Sequence, residues 1–291
     1  MATVGTSVIA SKLIGAQVEP FAATALRHFL ALPVLGLLCW LLKPAWPRPN
    51  RRDALILLVQ AASGSVGYTV LLIAGTALAP ATDAGVAAGT LPCMAALFAA
   101  VVLGERPSQS AVLGIALATG GVLMLTLGAE APVAPGTAPS AGRGVGVALV
   151  LLAVACEVIF ILGQRKLSVA VSPLAMATLM SAGGLVLAAP VALVRATLER
   201  HGTMPPQPAA PDFDATAWIA LLWYAWVPTV LGFWLWYAGA RRATATQAAA
   251  STAVLPLVAV LGAATVLGEP LGWTQGMALG LVVAGVVLAS R

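Results

Sequence analysis

The chain has 291 residues, of which 60% are hydrophobic and only 9% are charged, and its mean hydropathy is +0.97. Soluble domains carry about 25% charged residues, so this composition excludes an ordinary soluble fold and predicts an all-α integral membrane protein. The net charge of +5 comes from basic residues that stand singly or in pairs between apolar runs. This pattern is typical of cytoplasmic loops and argues against a nucleic-acid partner.

Ten apolar stretches follow one another along the chain, and each is close to the roughly 20 residues that a helix needs to cross the bilayer core. Their approximate bounds are 1–17, 20–42, 54–79, 83–103, 110–127, 144–164, 172–195, 216–240, 244–267 and 272–290. If the N-terminus is cytoplasmic, the inner loops and the C-terminus hold ten basic residues and the outer loops hold three. The basic residues therefore predict ten transmembrane helices with both termini inside (N-in/C-in).

The second half of the chain repeats the first. A shift of 164 positions places residues 79–125 on 243–289 without a gap, and 17 of the 47 aligned residues are identical. The shared tags are Ala-Thr at 81–82 and 245–246, Leu-Pro at 91–92 and 255–256, and Leu-Gly-Glu at 103–105 and 267–269. Because each half has an odd number of spans, the second half must enter the membrane upside down. We therefore predict two inverted five-helix repeats, 1–127 and 144–291, joined by an extracytoplasmic linker over 128–143.

The two Gly-Glu tags close the fourth and the ninth span. Gly104 and Gly268 can free the backbone for a turn, and the carboxylates of Glu105 and Glu269 can cap the helix that follows. We interpret these four residues as structural marks of the repeat, on opposite faces of the membrane, and not as substrate ligands.

Together these motifs resemble those of the drug/metabolite transporter superfamily, and specifically of its EamA-type members. The resemblance covers nearly the whole chain. Residues 4–13 resemble the family's opening stretch, with Val4 where tryptophan is common, and residues 26–31 resemble its Arg-Phe signature, with His28 between the two. The resemblance implies a multi-pass carrier of the bacterial inner membrane that exports small metabolites, often amino acids. It also implies that spans 1, 3, 4, 6, 8 and 9 line a central cavity.

The first span is short for a full crossing. Pairing residues 19–20 with 172–173 aligns it with the sixth span, whose start would then correspond to nine residues before Met1. We expect either a longer native N-terminus or a natively short first span.

Charged residues within apolar spans are the first candidates for a substrate site, because each costs roughly 2.5–3.5 kcal/mol at a helix centre. Glu157 lies about 20 Å into the sixth span, where it can bind a substrate amine or a proton. Alternatively, Glu157 is protonated, or is paired with Arg165 or Lys166. Lys12 can hold a substrate carboxylate or act as an anchor at the outer interface.

Arg27 and Asp83 are the other charged residues within the spans. For Arg27 we favour an anchor at the outer interface, paired with Glu19 or Asp83, because its position belongs to a general family signature. The alternative is a cationic site for a substrate carboxylate.

The eighth span is rich in aromatic residues. Five of its residues fall within about 80° of arc at 100° per residue: Trp223, Trp226, Val230, Trp234 and Tyr237. Tyr68 is their rough counterpart in the first half. The stripe predicts a π-rich cavity wall for an apolar or cationic substrate; the alternative is a surface that faces lipid or packs between helices.

Prolines and hydroxyls complete the candidate site. Pro92 and Pro256 stand in the fourth and ninth spans, where each is expected to remove a backbone hydrogen bond and to form a hinge or, as we favour, a fixed kink. The hydroxyls of Ser7, Ser11 and Thr90 can either face the cavity or bond back to their own helix.

Signatures of other chemistry are missing from the sequence. It has no Gly-rich phosphate loop and no metal-binding His pair, since His28 and His201 are isolated, and its three cysteines lack metal-type spacing. We therefore expect no enzyme activity, no cofactor and no metal.

The sequence favours a secondary transporter that exports small metabolites, amino acids first, by alternating access. Its partners would be the small-molecule substrate and the lipid bilayer, with protons as a candidate coupling ion. The alternatives are a sugar-phosphate, nucleotide-sugar or drug carrier of the same superfamily, or a membrane channel. Neither the substrate nor the oligomeric state follows from the sequence.

Overall fold

The computed structural model describes residues 1–103, 108–127, 140–164, 166–203, 213–240 and 254–289, and every regular element among them is helical. The α-helices are α1 (Ala2–Gly15), α2 (Pro20–Leu42), α3 (Arg51–Gln60), α4 (Tyr68–Leu78), α5 (Ala81–Ala88), α6 (Leu91–Leu103), α7 (Gln109–Leu127), α8 (Ser140–Gln164), α9 (Pro173–Arg200), α10 (Ala215–Tyr224), α11 (Phe233–Ala240), α12 (Val254–Val266) and α13 (Trp273–Ala289). Two π-helical segments, π1 (Ala61–Gly67) and π2 (Ala225–Gly232), join α3 to α4 and α10 to α11.

Each of the ten stretches predicted to span the membrane contains a helix. Five helical segments are long and apolar enough to cross a bilayer, and α5 with α6 makes a sixth if this pair, bent by 41°, is counted as one span. The five segments are Pro20–Leu42, Arg51–Leu78, Gly142–Gln164, Pro173–Arg200 and Ala215–Gly239. The regular structure of the described residues is thus entirely helical and contains five or six candidate spans, as expected of a membrane protein. The count of ten spans and the inverted repeat stay predictions.

Side-chain caps explain where two of the helices begin. Asn50 and Asp214, which are 164 positions apart in the sequence, accept hydrogen bonds at 2.8 Å from the backbone N–H groups of Asp53 and Ala217. Each bond satisfies a donor that the first turn of the helix leaves open. The bond from Ala217, together with a contact to Gln17, lowers the pKa of Asp214 because it stabilises the carboxylate.

The two π-helical segments also lie 164 positions apart. In a π-turn the hydrogen bond runs from i to i+5, so the turn takes up an extra residue. In π2, Pro228 has no N–H to donate to the carbonyl of Tyr224, and the hydroxyl of Thr229 donates to that carbonyl instead, at 2.8 Å. In π1, the ring of Phe160 packs directly against Gly64, where a Cβ would collide with it.

Contacts divide the chain into two compact units. Unit 1 comprises Met1–Ile9, Ala74–Val158 and Arg242–Arg291, and unit 2 comprises Ala10–Ile73 and Ile159–Arg241. Each unit therefore combines segments from both halves of the sequence.

In unit 1, α7 packs along α13, and α5 packs along α12. Glycines let the backbones of α7 and α13 approach closely. A Cβ on Gly114 would lie 2.5 Å from the carbonyl oxygen of Gly285, and a Cβ on Gly285 would lie 2.6 Å from the carbonyl oxygen of Gly114. Small residues at the crossing point are typical of helix pairs in membranes.

In unit 2, α2 packs along α9, while π1 packs on α9 and π2 packs on α2. One apolar core of this unit consists of Ala31, Leu35, Leu174, Ala177, Ala225 and Val230. This packing fixes the relative positions of α2, π1, α9 and α10, and it brings polar residues of these elements together.

Candidate functional site

A buried basic pair lies on α2, in unit 2. Arg27 and His28 are 4% and 0% exposed, and Nη2 of Arg27 lies 3.1 Å from Nε2 of His28. The guanidinium of Arg27 stacks over the ring of Tyr224, with its central carbon 4.5 Å from the ring centroid. Because the face of an aromatic ring is electronegative, Tyr224 helps to hold a positive charge within an apolar segment.

The His28 ring also contacts π1 and α9. Its Nε2 lies 3.3 Å from the carbonyl oxygen of Ser65, and a Cβ at Gly184 would collide with the imidazole. Gly184 therefore makes room for the ring. Nδ1 of His28, Oγ of Ser65 and the hydroxyl of Tyr224 have no hydrogen-bond partner among the described residues.

A buried polar atom without a partner costs about 1–3 kcal/mol. Such atoms are uncommon in folded proteins, and a functional role or a bound water or ion accounts for many of them. Arg27, His28, Ser65 and Tyr224, which we call the basic cluster, therefore form a candidate functional site.

The placement of Arg27 differs from the interface anchor that we favoured from the sequence. The two acidic residues considered as its partners pair with other arginines: Glu19 with Arg195 at 3.4 Å, and Asp83 with Arg143 at 2.6 Å. Arg27 is instead buried against an aromatic ring and an imidazole, because the packing of α10 on α2 covers it.

A second buried polar group lies in unit 1, at the start of α5. Nε of Arg143 donates to Oδ2 of Asp83 at 2.6 Å. Arg143 is the last residue of the predicted linker 128–143, but it lies inside α8, which begins at Ser140, and it is buried there. This ion pair ties α5 to α8.

Glu269 caps a helix, but not the one predicted. Its carboxylate accepts hydrogen bonds at 2.8 Å from the N–H groups of Ala81 and Thr82, the first residues of α5. The expectation that it caps the following helix, α13, is wrong, because the fold brings the start of α5 to the turn after α12. Gly268 has a φ of +66°, so the expected backbone turn is confirmed. The first copy of the tag, 104–105, lies outside the described residues.

Two of the three candidate hydroxyls bond back to their own helices. Oγ of Ser7 donates to the carbonyl of Val4 at 2.6 Å, and Oγ1 of Thr90 donates to the carbonyl of Ala87 at 2.7 Å. This is the local alternative that the sequence left open. Oγ of Ser11 is buried and has no hydrogen-bond partner in the part of the chain that the structure describes.

The fourth span is broken at Gly89 and Thr90, between α5 and α6. Pro92 is the second residue of α6, and Pro256 is the third residue of α12. In the first turn of a helix the missing N–H of proline breaks no intrahelical bond. The expected loss of a hydrogen bond at Pro92 is therefore wrong, and the bend of this span comes from the break that precedes the proline.

The aromatic residues of the eighth span do not share one environment. Trp223, Trp226 and Trp234 are between 39% and 48% exposed, whereas Tyr237 is 2% exposed. The segment π2 lies between the two ends of the predicted stripe, and its extra residue shifts their relative phase. A spacing of 100° per residue therefore fails through this segment. Tyr68, the counterpart in the first half, is buried.

The two charged candidates, Lys12 and Glu157, are both half-buried. Lys12 stands in the last turn of α1, where a cation interacts favourably with the helix dipole. Lys12 belongs to unit 2 and Glu157 to unit 1. Their roles as substrate ligands stay a prediction.

His28 is isolated in the sequence, because the residues that contact its ring are distant along the chain. Ser65 is 37 positions away, and Gly184 lies in the other half of the chain. One signal was present, since His28 interrupts the Arg-Phe signature of the family. No group of three His, Cys, Asp or Glu side chains among the described residues could hold a metal ion.

Comparison with known proteins gives the family. The EamA-like transporter family matches residues 1–127 and 144–291. The chain is 30% identical to the uncharacterized transporter YetK of Bacillus subtilis, over 98% of this chain and 83% of that protein. It is 31% identical to the probable terminal-alkyne amino-acid exporter of Streptantibioticus cattleyicolor, over 84% of this chain and 75% of that protein.

Two further similarities extend over nearly the full length. The uncharacterized protein PA1977 of Pseudomonas aeruginosa is 30% identical over 99% of this chain and 90% of that protein. A solved crystal structure with 20% sequence identity superposes with a TM-score of 0.61, over 99% of this chain and 92% of that chain, and this likeness concerns the fold alone. Because the family matches both halves and relatives cover nearly the whole chain, this protein belongs to the EamA-like transporter family, within the drug/metabolite transporter superfamily.

Proposed function

We propose that this transporter exports small metabolites from the bacterial cytoplasm across the inner membrane, with amino acids and similar amphipathic compounds as the favoured substrates. The observation that carries this proposal is the relative from Streptantibioticus cattleyicolor, which is named as a probable amino-acid exporter and is 31% identical over 84% of this chain. An amino acid presents a carboxylate, an ammonium group and a side chain that is often apolar. The proposed site must offer a counterpart to each.

The proposed substrate-binding residues offer all three counterparts. They are Ser7, Lys12, Ser11, Tyr68, Thr90, Glu157, Trp223, Trp226, Trp234 and Tyr237. Lys12 can bind the carboxylate and Glu157 the ammonium group, and each is a charge that an apolar helix rarely carries without a function or a partner. The exposed faces of Trp223, Trp226 and Trp234 provide apolar surface that a substrate side chain can cover.

We further propose that transport proceeds by alternating access between the two inverted repeats. Support comes from local structure that recurs at the same shift of 164 positions outside the aligned stretch. The helix caps Asn50 and Asp214 obey this shift, and so do π1 and π2. This recurrence supports an internal repeat that also includes the third and eighth spans.

The test is counterflow of a labelled amino acid in proteoliposomes of phosphatidylethanolamine and phosphatidylglycerol. The amino acid is chosen by a thermal-shift screen against amino acids, nucleosides, cationic drugs, sugar phosphates and nucleotide sugars. Saturable exchange is expected, and single-channel currents in planar bilayers would instead indicate a channel. A thermal shift specific to sugar phosphates or nucleotide sugars would move the substrate class to the alternative carrier.

Two matched pairs of variants test the proposed site. Lys12→Gln and Glu157→Gln are expected to reduce counterflow about 10- to 100-fold, because a hydrogen bond to a charged group contributes about 1.5–3 kcal/mol. Lys43→Gln, just after α2, is the control for the first. Trp226→Ala is compared with Trp273→Ala, a tryptophan that is 89% exposed at the start of α13. Wild-type flux in both charge variants would show that the site is assigned to the wrong residues.

A further inference from the structure

We propose that His28 is a proton-binding site of this transporter, at which a proton and Arg27 compete for the same ring nitrogen. Nε2 of His28 faces two groups with opposite requirements. Arg27 can only donate, so its contact at 3.1 Å requires an unprotonated Nε2. The Ser65 carbonyl can only accept, so its contact at 3.3 Å requires a proton on Nε2. One nitrogen cannot meet both requirements at once, so the two contacts belong to different proton arrangements.

Each arrangement leaves one group of the basic cluster unsatisfied. When Nε2 accepts from Arg27, the ring proton is on Nδ1, which is buried and has no partner among the described residues. When Nε2 carries a proton, the ring donates to the Ser65 carbonyl, and Arg27 must withdraw because both groups would then be donors. In the doubly protonated ring the two side chains also repel each other as like charges. Proton uptake and the Arg27 contact are therefore mutually exclusive.

The withdrawal of Arg27 from His28 would also change contacts with other helices of unit 2. Arg27 lies on the ring of Tyr224, the last residue of α10. The carbonyl of Tyr224 is held by Thr229 in π2, and the carbonyl of Ser65 belongs to π1 and also accepts from the hydroxyl of Thr69 at 3.0 Å. A change at His28 thereby acts on both π-helical segments, which are a form of helix found frequently at functional sites. The consequence of His28 protonation for transport rests on the proposed function.

Arg27 is the charged group that faces the His28 ring among the described residues. The elements packed against α2 are α9, π1, π2 and α10. The charged residues of α9 are Arg195, Glu199 and Arg200, and they lie at least about 16 Å along the helix from Gly184. Neither π1 nor π2 has a charged side chain, and the titratable residue of α10 is Tyr224.

The proposal can be tested without a substrate, because the chain has only two histidines. The experiment is ¹⁵N NMR of the full protein with labelled histidine, in nanodiscs of phosphatidylethanolamine and phosphatidylglycerol, between about pH 8 and about pH 5. Only the pH is varied, and no substrate or other ligand is added. His201, in the turn after α9, provides the matched control signal, and the His201→Gln variant assigns it.

At the alkaline end we expect the His28 proton on Nδ1 and an unprotonated Nε2, and we expect both nitrogens to be protonated on acidification. Arg27→Met removes the donor at similar size, so the proton of the neutral ring is expected to move to Nε2, where the Ser65 carbonyl accepts it. A His28 ring that keeps one neutral tautomer over the whole range, in the wild type and in Arg27→Met, would overturn the proposal. If the variant does not fold, the wild-type titration decides alone.

A second experiment links the proton to transport. Flux of the amino acid chosen above is measured in proteoliposomes with and without an imposed pH gradient. In His28→Gln, whose side chain stays neutral at every pH, the ratio of the two fluxes is expected to fall to about 1, whereas His201→Gln keeps the wild-type ratio. A gradient-stimulated flux in His28→Gln equal to that of the wild type overturns the coupling. Absence of flux in the wild type counts against the proposed function and leaves the NMR result standing.

Discussion

Replacing Glu269 with alanine is expected to destabilise unit 1, because it removes the cap of α5. The two carboxylate oxygens of Glu269 accept hydrogen bonds at 2.8 Å from the N–H groups of Ala81 and Thr82. All eight residues of α5 are buried, so water cannot take over these two donors. Loss of a helix cap costs about 0.5–2 kcal/mol, and a hydrogen bond to a charged group contributes about 1.5–3 kcal/mol. We therefore expect Glu269→Ala to lower the free energy of unfolding by about 2–4 kcal/mol.

The assay is an SDS titration of the purified protein in mixed micelles, followed by circular dichroism and tryptophan fluorescence. Glu269→Gln keeps one acceptor oxygen and loses the charge, so about half of the effect is expected. The control is Glu199→Gln, in the last turn of α9, where the carboxylate stands at the negative end of the helix dipole and its loss should change stability by less than about 0.5 kcal/mol. If Glu269→Ala unfolds within about 0.5 kcal/mol of the wild type, the capping argument is refuted.

Three further substitutions are measured by the same titration. Thr229→Val is expected to cost about 0.5–1.5 kcal/mol, because the Tyr224 carbonyl then loses the hydroxyl that donates to it at 2.8 Å; an unchanged unfolding midpoint would contradict this. Asp83→Ala is expected to cost about 3–5 kcal/mol, because it leaves Arg143 as an uncompensated buried charge, and adding Arg143→Ala should recover part of the loss; strictly additive losses would show that the pair does not interact. Gly285→Ala is expected to cost about 1–3 kcal/mol, because the added Cβ forces α7 and α13 apart; a variant as stable as the wild type would contradict the close crossing.

Local chemistry made several features predictable from the sequence. The apolar stretches predict the helices, and each of the ten contains one in the described residues. The glycine of the second Gly-Glu tag predicts a turn, and Gly268 adopts a left-handed conformation there. Such features depend on a few neighbouring residues, so the sequence carries enough information to predict them.

The misplaced features share a different cause. The aromatic stripe is predicted with α-helical spacing of 100° per residue. The segment π2 changes that spacing, because Pro228 has no backbone N–H to donate to the preceding turn. Arg143 ends a segment rich in Pro, Ala and Gly, and this composition predicts a loop, although an ion pair with Asp83 lets Arg143 lie inside α8. In the first case the missing N–H of Pro228 sets the structure, and in the second the carboxylate of Asp83 does. Composition and periodicity describe neither of these specific interactions.

The pattern of apolar stretches and short motifs is enough to identify this chain as an all-helical membrane protein of a transporter family. In a bilayer every backbone polar group must be satisfied within the chain, so long apolar stretches leave the helix as the structure that they can adopt. Which polar groups meet depends on the packing of the helices: the side chains of Asp83 and Arg143 across 60 positions, the Glu269 carboxylate and the Ala81 N–H across 188, and the His28 ring and the Ser65 carbonyl across 37. A hydrogen bond requires its two atoms to lie within a few tenths of an ångström of about 2.9 Å. Only the packed helices define positions to that precision, and so the basic cluster became visible only in the folded chain.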